Sequence, residues 1–153
     1  YVDGGCRGNG RPGAIGAAAA VHMKKWGGHV YRTRKLSRDP FPTNQRAEIL
    51  AIILGLEMAL DKYDELDSDP DIDLRIFSDS KYAIGCMNEW IHKWVKNDWT
   101  TAAGYEVANR DLIEEASDLD DKVMEIGTVR YTWISIDENE LADEYCNDAF
   151  DEQ

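Results

Sequence analysis

A chain of 153 residues with 43% apolar content has enough hydrophobic material for one domain, so residues 1–153 are expected to form a single unit around one core. No apolar run nears the roughly 20 residues that cross a bilayer, so no helical membrane span is expected. The net charge of −13 has the wrong sign for a simple nucleic-acid binder.

The charge is unevenly spread. Residues 1–50 hold nine Lys/Arg and three Asp/Glu, whereas residues 51–153 hold eight and twenty-seven. A cationic front and an acidic back are the expectation. Cys6, Cys86 and Cys146 are too few and too scattered for a disulfide framework or a zinc site. They point to a reducing, intracellular setting, whether nucleus, cytoplasm or mitochondrion. The chain opens on Tyr1, so the lack of a leader carries no information about targeting.

Val2 reads as the end of a strand that stops at Asp3. Gly4, Gly5, Gly8, Asn9, Gly10, Pro12 and Gly13 read as a turn cluster. A strand is expected over Ala14 to Met23, a turn at Trp26-Gly27-Gly28, and a third strand over His29 to Leu36. These three form an antiparallel meander. The first long helix starts near Thr43 or Asn44, either of which can cap it. Ala47, Leu50, Ala51, Leu54 and Met58 recur along it at helical spacing.

An acidic loop from Asp61 to Asp71 is expected to end that helix. Pro70 leads into a fourth strand, where Ile72, Leu74 and Ile76 alternate before Ser78-Asp79-Ser80. Helices follow over Tyr82 to Lys96 and Ala108 to Met124. A last strand runs over Thr128 to Ile134 and a last helix from about Asn139 to Phe150. The order βββ-α-β-α-α-β-α predicts an α/β fold: a mixed sheet with helices packed on it. Such sheets build sites at the carboxyl ends of parallel strands, and Asp3 and Asp79 are each placed where a strand stops.

With thirty Asp and Glu in the chain, most acids are solvated surface charges. Local context singles out four. Asp3 and Asp79 follow apolar strands. Glu48 lies beside an apolar helix stripe, where a lone glutamate is costly without a partner or a metal. Asp143 lies in a helix whose Leu141, Tyr145 and Ala149 share a face, and an exposed helix charge is its strongest rival reading.

Six segments carry a resemblance to type 1 ribonucleases H. Tyr1-Val2-Asp3-Gly4-Gly5-Cys6-Arg7-Gly8-Asn9-Gly10 resembles their opening strand and turn. Thr43-Asn44-Gln45-Arg46-Ala47-Glu48 is similar to their helix motif, nearest the eukaryotic branch. Phe77-Ser78-Asp79-Ser80-Lys81-Tyr82 resembles the third motif. Trp90-Ile91-His92-Lys93-Trp94-Val95-Lys96-Asn97-Asp98-Trp99 resembles the substrate-binding protrusion, and Gly104 to Leu112 continues it. Asn139-Glu140-Leu141-Ala142-Asp143-Glu144 is similar to the last motif. They occur in the family's order over nearly the whole chain.

The resemblance implies a ribonuclease H-like fold with a five-stranded mixed sheet, three antiparallel strands then two parallel, and helices on both faces. It implies an endonuclease that hydrolyses the RNA strand of RNA–DNA hybrids, leaving 5'-phosphate and 3'-hydroxyl ends. Asp3, Glu48, Asp79 and Asp143 would hold two Mg²⁺ ions, with Mn²⁺ substituting. Hard divalent ions want such oxygen ligands, and a pair of them can activate water and stabilise both reacting oxygens. Asp3 would bridge the ions, Glu48 would also face the 2'-hydroxyl, Asp79 would position the water and Asp143 would complete the second ion's site. Asn9, Asn44 and Gln45 match minor-groove positions. Thr43 and Asn109 match a pocket for a DNA-strand phosphate, and Trp90 and Trp94 match the surface facing the DNA sugars. For the two tryptophans a plain helix stripe is the rival, and for Thr43 it is helix capping. The hybrid is the expected partner of a monomer that needs no membrane.

The pattern also departs from the family. The histidine often found in the loop before the last helix is absent: Trp133-Ile134-Ser135-Ile136-Asp137-Glu138-Asn139-Glu140 replaces it with a shorter segment. Slower turnover is the expectation. Phe41-Pro42 stands where an arginine often supports the phosphate pocket. Two rivals therefore remain open: a catalytically weak or silent binding module, and the ribonuclease H domain of a retroelement polymerase.

Overall fold

The strand that begins at Val2 does not stop at Asp3. In a computed structural model, which describes residues 1–25, 27–64 and 71–151, β1 runs over Val2–Arg7. Gly4 and Gly5 are strand residues, and the turn cluster is confined to the residues after Arg7. The reason is steric. A Cβ on Gly4 would lie 2.1 Å from the Ala47 carbonyl oxygen, so glycine lets the first helix rest directly on the strand backbone.

β1 pairs antiparallel with β2 (Ile15–Met23), which pairs antiparallel with β3 (His29–Lys35). β4 (Ile72–Ser78) and β5 (Gly127–Trp133) run parallel to one another, and β4 runs parallel to β1. The sheet order β3-β2-β1-β4-β5 has three antiparallel strands followed by two parallel ones.

The alanine run in β2 explains how helices cover both faces. Ala18 and Ala20 belong to the core cluster shared with the first helix, whereas Ala17 and Ala19 pack with Cys146, Ala149 and Phe150 of the last. Alternate side chains of a strand point to opposite faces. Small residues on both faces let both helices approach closely, which outweighs the modest β-propensity of alanine.

Helix α1 (Asn44–Asp64) is capped by Thr43, whose Oγ1 accepts from the Arg46 amide at 3.1 Å. It runs three residues past Asp61, into the stretch that reads as an acidic loop, because Leu60 still packs on the core. Residues 65–70 of that loop lie outside the described residues. Nor is burial confined to one stripe. Ile49, Ile52, Ile53, Leu54 and Leu56 are all fully buried, because α4 (Arg110–Met124) covers α1 with Ile113, Ala116 and Val123.

The helix expected over Tyr82 to Lys96 is not uniform. α2 (Lys81–Gly85) and α3 (Ile91–Lys96) are joined by a π-type stretch over Cys86–Trp90, with Trp90 folded back onto Gly85. After β5, a tight 3₁₀ turn (Ile136–Asn139) leads into α5 (Glu140–Asp151).

The close approach at Gly4 yields a test. Gly4→Ala is expected to lower unfolding free energy by at least about 1–3 kcal/mol in urea denaturation. Gly5→Ala, whose Cβ would meet only the Phe150 ring at 3.5 Å, is expected to change it by less than about 1 kcal/mol. Equal stability of the two variants would refute the tight β1–α1 contact.

Candidate active site

The pairing of Val2 with Ser78 across the parallel β1–β4 junction sets Asp3 level with Asp79. Asp79 lies just beyond the end of β4, as expected, whereas Asp3 is inside β1 and not at its end. Val2 and Gly4 face α1, so Asp3 faces the opposite side, toward α5, where it hydrogen-bonds Asp143. Glu48 approaches from the α1 side. Asp79, past the strand end, feels the acids on both faces: its charge acts on Asp3 and on Glu48 alike. All four acids are half-buried.

Neutral groups, not cations, orient three of them. Ser80 Oγ donates to Glu48 Oε2 at 2.7 Å while accepting from the Ala83 amide at 3.0 Å as the cap of α2. Asn139, only 1% exposed, donates to the Val2 carbonyl at 2.8 Å and to Asp79 Oδ2 at 3.3 Å. Asn147 donates to Asp143 Oδ2 at 3.4 Å. None of the four acids has an ion pair among the described residues.

The result is a pocket of uncompensated negative charge. Burial first, then the Asp79 charge and the contact with Asp143, push the Asp3 carboxyl up to about 8. Burial also raises Glu48, with the Ser80 bond opposing and Asp79 adding to the rise. The potential reaches Cys146, pushed up to about 12 by burial and then by Asp3 and Asp143.

Among the described residues, no three His, Cys, Asp or Glu side chains already close around a single point as metal ligands. The acids come from opposite faces of the sheet and meet only across Asp79, so they share a field without forming a ready cage. The donor set nonetheless fits hard cations. It is all carboxylate oxygen, half-exposed and short of positive charge.

The other expected residues fall into two groups. At the start of α1, the Asn44 amide donates to Asn9 Oδ1 at 2.8 Å and Asn44 Oδ1 accepts from the Cys6 amide at 2.9 Å. These bonds tie the β1–β2 turn to the helix, leaving Asn9, Asn44 and Gln45 exposed beside the acids. Asn109, at φ 62°, ends next to Tyr82, whose hydroxyl accepts from Asn109 Nδ2 at 3.1 Å, and lies within 3.5 Å of Gln45. Farther along, Tyr82, Trp90, Trp94 and Trp99 form a row with ring centres 6.1–6.2 Å apart. Trp90 is 36% exposed, whereas Trp99 is buried in the core and Tyr82 and Trp94 pack against it, so the row runs from the surface into the core and the helix-packing reading holds for part of it.

Sequence reasoning missed Ser80, Asn139 and Arg46. Ser80 is visible beside Asp79 at a strand end. Asn139 lies in the last motif, yet only the tertiary fold gives it Asp79 as a partner. Arg46 is 8% exposed and grips Asp111 through two bonds of 2.9 and 2.7 Å, also reaching Asn109 at 3.5 Å. The expected cationic front is reduced for the same reason. Arg32 pairs with Asp61 and Arg34 with Glu57, so α1 neutralises the outer charges of β3.

The raised carboxyl predicts a pH signature. Without divalent ions the folded state keeps a proton on Asp3 that the unfolded chain releases near pH 4. The stability contributed by that proton is full below about pH 4 and is lost as pH rises toward 8. Tm of the metal-free protein is expected to fall between about pH 5 and pH 8, and Asp3→Asn to flatten the fall and raise Tm at the upper end. An unchanged slope in the variant would show that Asp3 is not electrostatically crowded.

Known proteins share both the sequence pattern and the fold. The RNase H family model matches residues 1–151. The ribonuclease H of Francisella tularensis subsp. novicida (strain U112) is 34% identical, aligning 99% of this chain with 90% of its own. That of Hydrogenovibrio crunogenus is 33% identical, aligning 99% with 94%. Among solved structures, RNase H1 from the halophilic archaeon Halobacterium salinarum NRC-1 superimposes with a TM-score of 0.64 at 27% identity, covering 100% of this chain and 96% of that one. The foamy viral protease-reverse transcriptase in complex with dsDNA, at 21% identity and a TM-score of 0.68 over 96% of this chain and 89% of that one, shares the fold. A family match over residues 1–151, with relatives 33–34% identical across 99% of the chain, means that this chain belongs to the RNase H family.

Proposed function

We infer that this protein hydrolyses the RNA strand of RNA–DNA hybrids at the site built from Asp3, Glu48, Asp79 and Asp143. The observation that carries the reading is the strand register that sets Asp3 level with Asp79, with no ion pair to any of the four acids among the described residues, in a chain of the RNase H family. These acids would hold two Mg²⁺ ions, with Mn²⁺ able to replace them. When bound, the ions supply an activated water and neutralise charge on the attacking and leaving oxygens.

The chain's own residues do the positioning. Asn139 orients the Asp79 carboxylate, which would position the attacking water, and Ser80 orients Glu48, which would face the RNA 2'-hydroxyl. The raised Asp3 carboxyl would give up its proton on binding cations. The products carry 5'-phosphate and 3'-hydroxyl ends.

Asn9, Asn44 and Gln45 face the minor groove, where 2'-hydroxyls distinguish RNA from DNA. Thr43 and Asn109 receive a DNA-strand phosphate, with Arg46 behind them. Trp90 and Trp94 lie along the DNA sugars. Because Asp111 already engages Arg46 in two hydrogen bonds, the pocket is less cationic than a free guanidinium would make it, which favours modest hybrid affinity.

A weak enzyme is the second reading. It is favoured by the short Ile136–Asn139 turn, which carries no histidine. The foamy-virus neighbour shares only the fold, whereas the two relatives named above, at 34% and 33% identity, are ribonucleases H.

With a labelled hybrid and Mg²⁺ or Mn²⁺, RNA cleavage is expected, and Asp79→Asn is expected to reduce it by at least about a thousandfold while leaving Tm and hybrid binding intact. Equal cleavage by the variant would remove the assigned site.

A further inference from the structure

The proposed mechanism leaves one feature beside the acids without a use. Lys81 is exposed, and its Nζ lies 5.0 Å above the centre of the Trp133 ring. Trp133, 44% exposed at the end of β5, donates its indole N–H to the Asp79 carbonyl at 3.0 Å. A cation on an aromatic face is therefore fastened to the backbone of the residue that links the two halves of the carboxylate cluster.

Several arginines on or beside the β-sheet are committed. Arg32, Arg34, Arg46, Arg75 and Arg130 all pair with acids. Lys81 has no ion pair among the described residues, although a strongly acidic site lies next to it. Asn139 takes the Asp79 carboxylate, leaving the ammonium to the ring. Asn139 of the short 3₁₀ turn after β5 is buried, whereas Lys81 and Trp133 stay exposed.

An exposed ring carrying a cation presents two surfaces at once, a flat apolar face for a sugar and an ammonium for a phosphate. We propose that the Lys81–Trp133 pair is a substrate-positioning site that binds the RNA-strand backbone beside the cleaved bond, Lys81 contacting the neighbouring phosphate and Trp133 its ribose. The proposal rests on the hydrolase reading above. Lys81 is a positioning residue; it transfers no proton and holds no ion.

The experiment measures hybrid affinity against salt in an Asp79→Asn background, where cleavage does not intrude. Removing one phosphate contact lowers the slope of log K against log salt by about 0.7–0.9. Lys81→Ala is expected to show that drop with affinity reduced roughly tenfold, Lys81→Arg to restore the slope, and Trp133→Leu to weaken binding in the same direction. In the chain that retains Asp79, Lys81→Ala is expected to raise KM and leave kcat within about threefold. An unchanged salt slope in Lys81→Ala, with Tm matching the parent, overturns the proposal and leaves the pair a structural contact. If Asp79→Asn still cleaves, the carboxylate reading fails on that result, whereas the Lys81 slope is judged by binding alone.

Discussion

The site depends on the one place where the sheet changes from antiparallel to parallel. Val2 on β1 pairs with Ser78 on β4, and that single register brings Asp3 level with Asp79. The same strand must also accept α1 against its backbone, which Gly4 allows by having no side chain. Shift the pairing by one residue and Asp3 turns to the other face, away from α5 and Asp143. The carboxylate cluster is a consequence of strand register and one missing Cβ, with Asp79 just past the strand end.

The electrostatics come from that constraint. Two half-buried acids meet on the α5 side, a third stands on the α1 side, and Asp79 interacts with both. Serine and asparagine hold them in place, and neither supplies positive charge. The arginines nearest the sheet are spent on other acids, notably Arg46 on Asp111. The pocket thus keeps a charge deficit that a small hard cation relieves better than a side chain, because ions can enter after the fold has formed.

The proposed substrate-binding residues lie around the same point. Polar residues at the start of α1 sit on one side, and the row Tyr82, Trp90, Trp94 and Trp99 extends away on the other. The π-type stretch that interrupts the helix has Trp90 packed over Gly85, keeping the ring at the surface. With a net charge of −13, overall attraction to a polyanion is excluded, so the proposed binding would rest on a few locally placed cations and flat rings.

Much of this was legible in the residues alone. Alternation and helical spacing determined the element order, because side-chain periodicity follows backbone geometry directly. The motifs around Asp3, Glu48, Asp79 and Asp143 marked the acids, and Asn9, Thr43, Asn44, Gln45 and Asn109 marked their surroundings. Glycine composition misled at Gly4 and Gly5: glycine signals turns locally, whereas at Gly4 it answers to a helix far along the chain. Tertiary structure alone decided that Arg46 is buried on Asp111, that Asn139 anchors Asp79, and that Lys81 rests on Trp133. Each of these joins residues that are distant along the chain, and no local pattern encodes a distance that only the closed sheet creates.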